Sequence, residues 1–401
     1  MTPWLTVVGI GDDGPDGLGA ATRALIDNAE VLVGGDRHLT MLAGHPAERL
    51  GWQFPLDPLI DDLKARRGRR VVVLATGDPM SYGIGTTLCR HLDIAEMRLI
   101  PAPSAFALAC GRLGWPRHTV ETLTLHGRPL EILNGWLQPG QRLLLLSQDG
   151  TTPAKVARLL TDKGFGGSRM TVLAHMDGPT EARHGALARD WPHDGTADLN
   201  TIAVELVADA DAIVHPRVPG LPDAAFVNDG QLTKREVRAA TLAGLMPIAG
   251  QLLWDVGAGC GSVAVEWLRA AANARAIAIE RKPDRLAMIA ENAAALGVPE
   301  LSVIEGTAPD VLAGLDQPDA VFIGGGLTAD GLFDSCWSAL RPGGRLVANA
   351  VTVEGERMLL GWRDAVGGDL IRIAVSRAEP VGPFTGWRPL MPVTQWAATK
   401  S

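Results

Sequence analysis

The sequence predicts an α/β protein of two domains, on three observations. Its 401 residues exceed what a single hydrophobic core ordinarily organises. Strand-length apolar runs alternate with amphipathic ones along both halves. Between the two series lies His215-Pro216-Arg217-Val218-Pro219-Gly220-Leu221-Pro222, where three prolines exclude a helix or a central strand. The expected layout is one domain over 1–210, a linker over 211–222 and a second domain over 223–401.

Taken in order, the first half reads as strands at Leu5 to Ile10, Val31 to Gly34, Arg70 to Ala75, Met97 to Ile100, Arg142 to Ser147, Met170 to Ala174 and Thr201 to Val207. Amphipathic spacing predicts helices over Gly83 to Leu92, Ser104 to Leu113 and Pro153 to Lys163. The second half opens with a helix over Lys234 to Leu245, for which Thr233 and Glu236 form a capping-box pattern. Seven strands follow, at Leu252 to Val256, Ala276 to Ile279, Leu301 to Ile304, Ala320 to Ile323, Arg345 to Ala350, Leu370 to Val375 and Thr394 to Ala398. Helical patterns separate the first six. The last two lack one and can pair as neighbours.

Composition narrows the function. With 46% apolar and 20% charged residues, and apolar runs only as long as strands, the chain predicts a soluble protein without a membrane span. The segment Met1-Thr2-Pro3-Trp4-Leu5-Thr6 runs straight into a strand pattern with no basic and apolar leader, which makes the cytoplasm the expected address. Cys89, Cys110, Cys260 and Cys336 are scattered, without C-x-x-C pairs, so no metal is expected. A net charge of −8 argues against nucleic acid, and the densest basic run, Lys64 to Arg70, reads as a solvated helix end.

The chemistry-bearing stretch is Gly257-Ala258-Gly259-Cys260-Gly261, directly after the strand Leu252 to Val256. Alternate glycines let backbone turn sharply and approach a ligand that side chains would strike. Nineteen residues after Gly261, Glu280 closes the next strand, where a carboxylate can accept hydrogen bonds from the two hydroxyls of a ribose. Nicotinamide enzymes share that acid, but their G-x-G-x-x-G loop seats a pyrophosphate and has a different spacing. The loop and acid together resemble the S-adenosylmethionine (SAM) pocket of a Rossmann-like methyltransferase.

Further segments carry a wider resemblance. Val7-Val8-Gly9-Ile10-Gly11-Asp12-Asp13-Gly14-Pro15, Val33-Gly34-Gly35-Asp36-Arg37, Leu74-Ala75-Thr76-Gly77-Asp78-Pro79-Met80-Ser81-Tyr82-Gly83 and Pro101-Ala102-Pro103-Ser104-Ala105 are similar to segments of the tetrapyrrole methylase family. In place of that family's usual Gly-Pro-Gly-Asp loop stands Gly11-Asp12-Asp13-Gly14-Pro15. The second half is similar to the C15-methyltransferase and decarboxylase family of cobalamin biosynthesis, through Gly220-Leu221-Pro222-Asp223, Leu232-Thr233-Lys234-Arg235-Glu236-Val237-Arg238, the glycine loop, Glu280, Glu305-Gly306-Thr307-Ala308 and Phe322-Ile323-Gly324-Gly325-Gly326.

These resemblances imply a two-lobed tetrapyrrole methylase fold followed by a seven-stranded Rossmann-like methyltransferase fold. They imply SAM at two sites per chain, with a precorrin methylated at C5 by the first half. The second half would methylate C15 and decarboxylate the ring C acetate, taking precorrin-6B to precorrin-8. A homo-oligomer is also implied. The same chemistry on a cobalt-containing intermediate remains an alternative, and fusion of the halves resembles the metal-free route.

For the donor, the implied residues are Thr233, Gly257, Ala258, Gly259, Cys260, Gly261, Glu280 and Ala308 in the second half, and Gly77, Asp78, Pro79, Tyr82 and Ser104 in the first. For the substrate's carboxylates the candidates are Lys234, Arg235 and Arg238; the turn at Gly324 and Gly325, and Asp36 with Arg37, are candidates for contact with the substrate. His38, His126, His175 and His184 could titrate near neutrality, and none takes an acid–base role from sequence. A nicotinamide oxidoreductase is disfavoured by the glycine spacing. A non-catalytic SAM sensor is disfavoured by the intact Gly77 to Gly83 loop and by Glu280.

Overall fold

Runs such as Val71-Val72-Val73 can be buried on both sides only at the centre of a sheet covered on both faces, and the first sheet places them there. The computed structural model describes residues 3–52, 55–192 and 194–401. Its first sheet comprises β1 (Leu5–Ile10), β2 (Val31–Gly34), β3 (Glu48–Gly51), β4 (Val71–Thr76) and β5 (Met97–Ile100), all parallel in the order β3-β2-β4-β1-β5. Val72 and Leu74 face α1 (Ala20–Asp27) through Ile26. After the short α2 (Asp36–Met41) come α3 (Asp57–Ala65) and α4 (Ile84–His91), which cover Val71, Val73 and Ala75 on the opposite face.

Helix α5 (Ala105–Leu113) leads into a second, mixed sheet. Its strands β6 (Glu121–Thr124), β7 (Arg142–Leu146), β8 (Arg169–Ala174), β9 (Ala182–Leu187) and β10 (Asn200–Glu205) are ordered β6-β7-β10-β8-β9, with only β6 and β7 parallel. Phe106, Ala109 and Cys110 of α5 pack on Leu144, Leu173 and Ala203. Helix α6 (Thr152–Asp162) buries Val156 and Leu160. These two sheets form the two lobes of one unit.

The third sheet follows α7 (Arg235–Leu245). Around it run β11 (Leu252–Val256), α8 (Ser262–Ala270), β12 (Arg275–Glu280), α9 (Pro283–Ala295), β13 (Ser302–Glu305), β14 (Ala320–Ile323), α10 (Leu332–Ala339), β15 (Arg345–Ala350), α11 (Val353–Val366), β16 (Asp369–Ile373), the hairpin β17 (Ser376–Val381) and β18 (Phe384–Pro389), and β19 (Val393–Thr399). The order is β13-β12-β11-β14-β15-β19-β16, with β19 antiparallel between β15 and β16. Alternation along β11 sends Leu253 toward the layer of α7, α8 and α9, and Leu252, Trp254 and Val256 toward that of α10 and α11.

The chain divides into two units, Met1–Leu130 with Gln138–Ile213, and Glu131–Leu137 with Val214–Ser401. Seven residues from within the first half therefore belong to the second unit. There Asn134 Nδ2 donates to the Ala294 carbonyl at 2.9 Å, and Leu133 is fully buried. The proline-rich stretch forms no helix or strand, yet it is anchored: the Gly220 and Leu221 N–H groups donate to Glu266 at 2.7 and 2.9 Å. No helix among the described residues is long and apolar enough to cross a membrane.

Several expectations need correction. Between β13 and β14 there is only a 3₁₀ turn, Asp310–Leu312, not an α-helix. Thr233 does not cap α7: Lys234 holds the cap position, no side chain closes it, and Glu236 pairs with Arg377 instead. β3, β6 and β9, helices α1 to α3, and the β17–β18 hairpin are additional to the elements expected.

Candidate active sites

In the second unit the turn after β11 adopts left-handed backbone at all three glycines, with φ of +69° at Gly257, +60° at Gly259 and +78° at Gly261. Their reasons differ. A Cβ on Gly257 would lie 2.8 Å from the Gly325 nitrogen, and one on Gly261 would lie 3.0 Å from Ile289 of α9. Only Gly259 has open surroundings, its nearest neighbour being the Gln231 carbonyl at 3.5 Å. Packing alone therefore demands glycine at 257 and 261, while at 259 it leaves room.

Glu280 ends β12 beside this turn and is 5% exposed. Its Oε2 accepts from Gly259 N–H at 2.9 Å, and its Oε1 accepts from Arg281 and Lys282 N–H at 2.9 and 3.0 Å. Oε1 has both lone pairs engaged, whereas Oε2 keeps one that can accept a hydroxyl. Arg285 approaches Glu280 to 4.0 Å and is held by Asp229 at 2.8 Å and Gln231 at 2.7 Å, which lays the 229–231 loop beside the glycine turn. Sequence reasoning passed over that loop.

It also passed over Asp255, a carboxylate inside the apolar strand β11. Asp255 is fully buried, with Oδ2 accepting from Ala264 N–H at 3.0 Å and Oδ1 without a partner. Burial, and then the charge of Glu280, push its pKa up to about 7. Cys260 is buried in the core and its carbonyl accepts from Asn292, so its side chain is not available to a ligand. Burial pushes its thiol pKa up. Ala308 packs its methyl on the α10–α11 layer, Gly325 lies against Gly257, and Gly324 is exposed.

Of the three candidate substrate cations, one is excluded. Arg238 is fully buried, binding Glu266 at 2.7 Å, Asp223 at 3.4 Å, the Thr233 carbonyl at 2.5 Å and the Leu221 carbonyl. It is a structural hub and cannot meet a substrate. Lys234 is half-buried and Arg235 exposed, with no side-chain partner for either among the described residues.

In the first unit, Gly77 (φ +58°) follows β4 and lies so close to β1 that a Cβ on Gly9 would fall 1.9 Å from its carbonyl oxygen. Asp78 accepts from Met80 N–H at 2.9 Å, and the Pro79 carbonyl sits against Gly83 and Gly85. Tyr82 holds a left-handed φ of +58°, half-exposed, with its hydroxyl donating to the Thr122 carbonyl of the other lobe at 2.9 Å and its ring edge-on to Phe106. Ser104 caps α5 through Ala107 N–H at 3.2 Å.

Asp36 is exposed, whereas Arg37 is not free to clamp a ligand with its whole guanidinium. It donates to Asp12 at 2.9 Å, His38 Nε2 at 2.9 Å and Thr76 at 3.2 Å. His38 is buried, and burial together with Arg37 lowers its pKa to about 4. Asp12 also meets His175 Nδ1 at 2.8 Å.

Residues 4–181 match the family model of tetrapyrrole (corrin/porphyrin) methylases, and residues 224–400 match the precorrin methyltransferase domain. A precorrin-6Y C(5,15)-methyltransferase [decarboxylating] of Sinorhizobium sp is 48% identical over 100% of this chain and 97% of its own length. The protein of that name from Mycobacterium tuberculosis is 42% identical over 99% of this chain and 100% of its own. A crystal structure of the C-terminal domain of precorrin-6Y C5,15-methyltransferase from Rhodobacter capsulatus is 47% identical, covering 46% of this chain and all of that one, at a TM-score of 0.44.

Proposed function

The chain belongs to the precorrin-6Y C5,15-methyltransferase (decarboxylating) family, and from that membership we propose that its two units divide the reaction, each binding its own SAM. It is a SAM-dependent methyltransferase of cobalamin biosynthesis. The first unit methylates C5 of the macrocycle. The second methylates C15 and removes the carboxyl of the ring C acetate. What supports the reading is that each unit carries its own left-handed glycine turn directly after a central parallel strand, at Gly77 after β4 and at Gly257 after β11.

The residues present fit the donor. In the second unit Glu280 Oε2 retains a lone pair for a ribose hydroxyl, Gly259 leaves space for the methionine moiety, and the Ala308 segment, its methyl turned to the core, brings backbone to the adenine edge. In the first, Gly77 to Tyr82 and Ser104 offer backbone and ring. Bound SAM supplies an electrophilic methyl on a sulfonium; the protein's part is alignment and exclusion of water. Lys234 and Arg235 meet acetate and propionate carboxylates, and the Gly324-Gly325 turn lets a large flat substrate approach at the carboxyl edge of the sheet. Decarboxylation draws on the conjugated macrocycle as electron sink, so the second unit need only hold the acetate out of the ring plane.

Titration calorimetry of the full chain should give two SAM per chain, falling to one when Glu280 is replaced by Ala. Mass spectrometry of products with precorrin-6B should then show loss of C15 methylation and of carbon dioxide release together. A stoichiometry of one in the unaltered chain refutes the two-site reading.

A further inference from the structure

We propose that Asp12 and His175 form a dyad in which His175 Nε2 accepts the proton released when C5 is methylated; this rests on the assignment of C5 to the first unit. Replacing the hydrogen of a meso C–H by methyl must discard a proton. As the C5–CH₃ bond forms, the S–CH₃ bond breaks with its electron pair left on sulfur, and the C5–H pair returns to the macrocycle. That proton needs an acceptor.

Among the four histidines marked in the sequence, His175 has the geometry for it. It follows β8 in the second lobe, and its Nδ1 lies 2.8 Å from Asp12 Oδ2, on the loop after β1 in the first lobe. A carboxylate facing Nδ1 fixes the proton there and leaves Nε2 as the unprotonated acceptor. Nε2 has no partner among the described residues, on a side chain that is one-third exposed.

His38 is the contrasting case. It is buried and its Nε2 already accepts from Arg37.

The dyad is rigidly mounted and tied to the donor loop. Arg37 grips the other oxygen of Asp12 and also Thr76, the residue preceding Gly77. His175 (φ +50°) and Asp177 (φ +64°) both hold left-handed backbone. Gly178 closes the turn where a Cβ would fall 2.3 Å from Asp12. The other charged groups of this turn, Asp177 and Glu181, are both neutralised by Arg112 of α5.

The test uses the full chain under SAM saturation, with a precorrin already methylated at C15 for the C5 step and precorrin-6B for the C15 step. H175A should lower kcat for C5 methylation about a hundred- to ten-thousand-fold, leave KM for both substrates within about threefold, and regain part of its rate with added imidazole. Carbon dioxide release and C15 methylation should be unchanged. Nitrogen-15 correlation spectra of the unaltered protein should show His175 protonated at Nδ1, and D12N should mix the tautomers. An Nε2–H tautomer in the unaltered protein, or a C5 kcat within fivefold of normal in H175A, overturns the dyad alone. Loss of C15 methylation with C5 retained overturns the assignment of C5 to this unit as well.

Discussion

Two buried charged groups in the second unit behave in opposite ways. Arg238 is neutralised by Glu266, so Arg238→Ala should strand a buried carboxylate and lower stability by about 3–5 kcal/mol, measured by denaturant unfolding. Lys234→Ala should leave stability within about 0.5 kcal/mol and raise KM for the precorrin. Asp255 has no counter-charge among the described residues, and its native pKa of about 7 lies above the 3.8 of an unfolded carboxyl. Between those values the native state binds the extra proton, so stability falls as pH rises from about 4 to about 7. The Tm of the unaltered protein relative to Asp255→Asn should decline across that window and then level. Equal slopes for both proteins would show that another group controls the pH response.

The turn between β11 and α8 makes the sharpest test of an element. Gly257→Ala combines positive φ with a backbone clash at Gly325, and should cost about 1–3 kcal/mol as well as donor binding in the second unit. Gly259→Ala meets nothing closer than 3.5 Å, so it carries only the cost of its positive φ, about 1–2 kcal/mol, and should weaken SAM binding beyond that loss of stability, as melting and calorimetry together would register. This turn was legible because its backbone demands particular residue types, and the central strands because burial on both faces leaves an unbroken apolar run. β3 (Glu-Arg-Leu-Gly) and β9 (Ala-Arg-His-Gly-Ala-Leu) escaped notice because edge strands pair on one side only and carry no such signal. The roles of Arg238 and His175 were illegible for another reason: Glu266 lies 28 residues from Arg238, and Asp12 lies 163 from His175, so only the fold brings them together.

For the whole molecule, the units part at Ile213 and Val214, beside the proline-rich break, but residues 131–137 go with the second unit. A fragment beginning at Val214 lacks Glu131–Leu137, and with it the Asn134 hydrogen bond and the burial of Leu133. It should keep SAM affinity near that of the intact protein while unfolding about 2–4 kcal/mol more easily, from one hydrogen bond and one aliphatic side chain. The same segment also imposes an order in time. Asn134 leaves the ribosome 160 residues ahead of the carbonyl that will receive it, a wait of roughly ten to thirty seconds at ordinary elongation rates. Through that interval residues 134–136 wait for Arg217, Ala294 and Gly297, the groups of the second unit that they will meet.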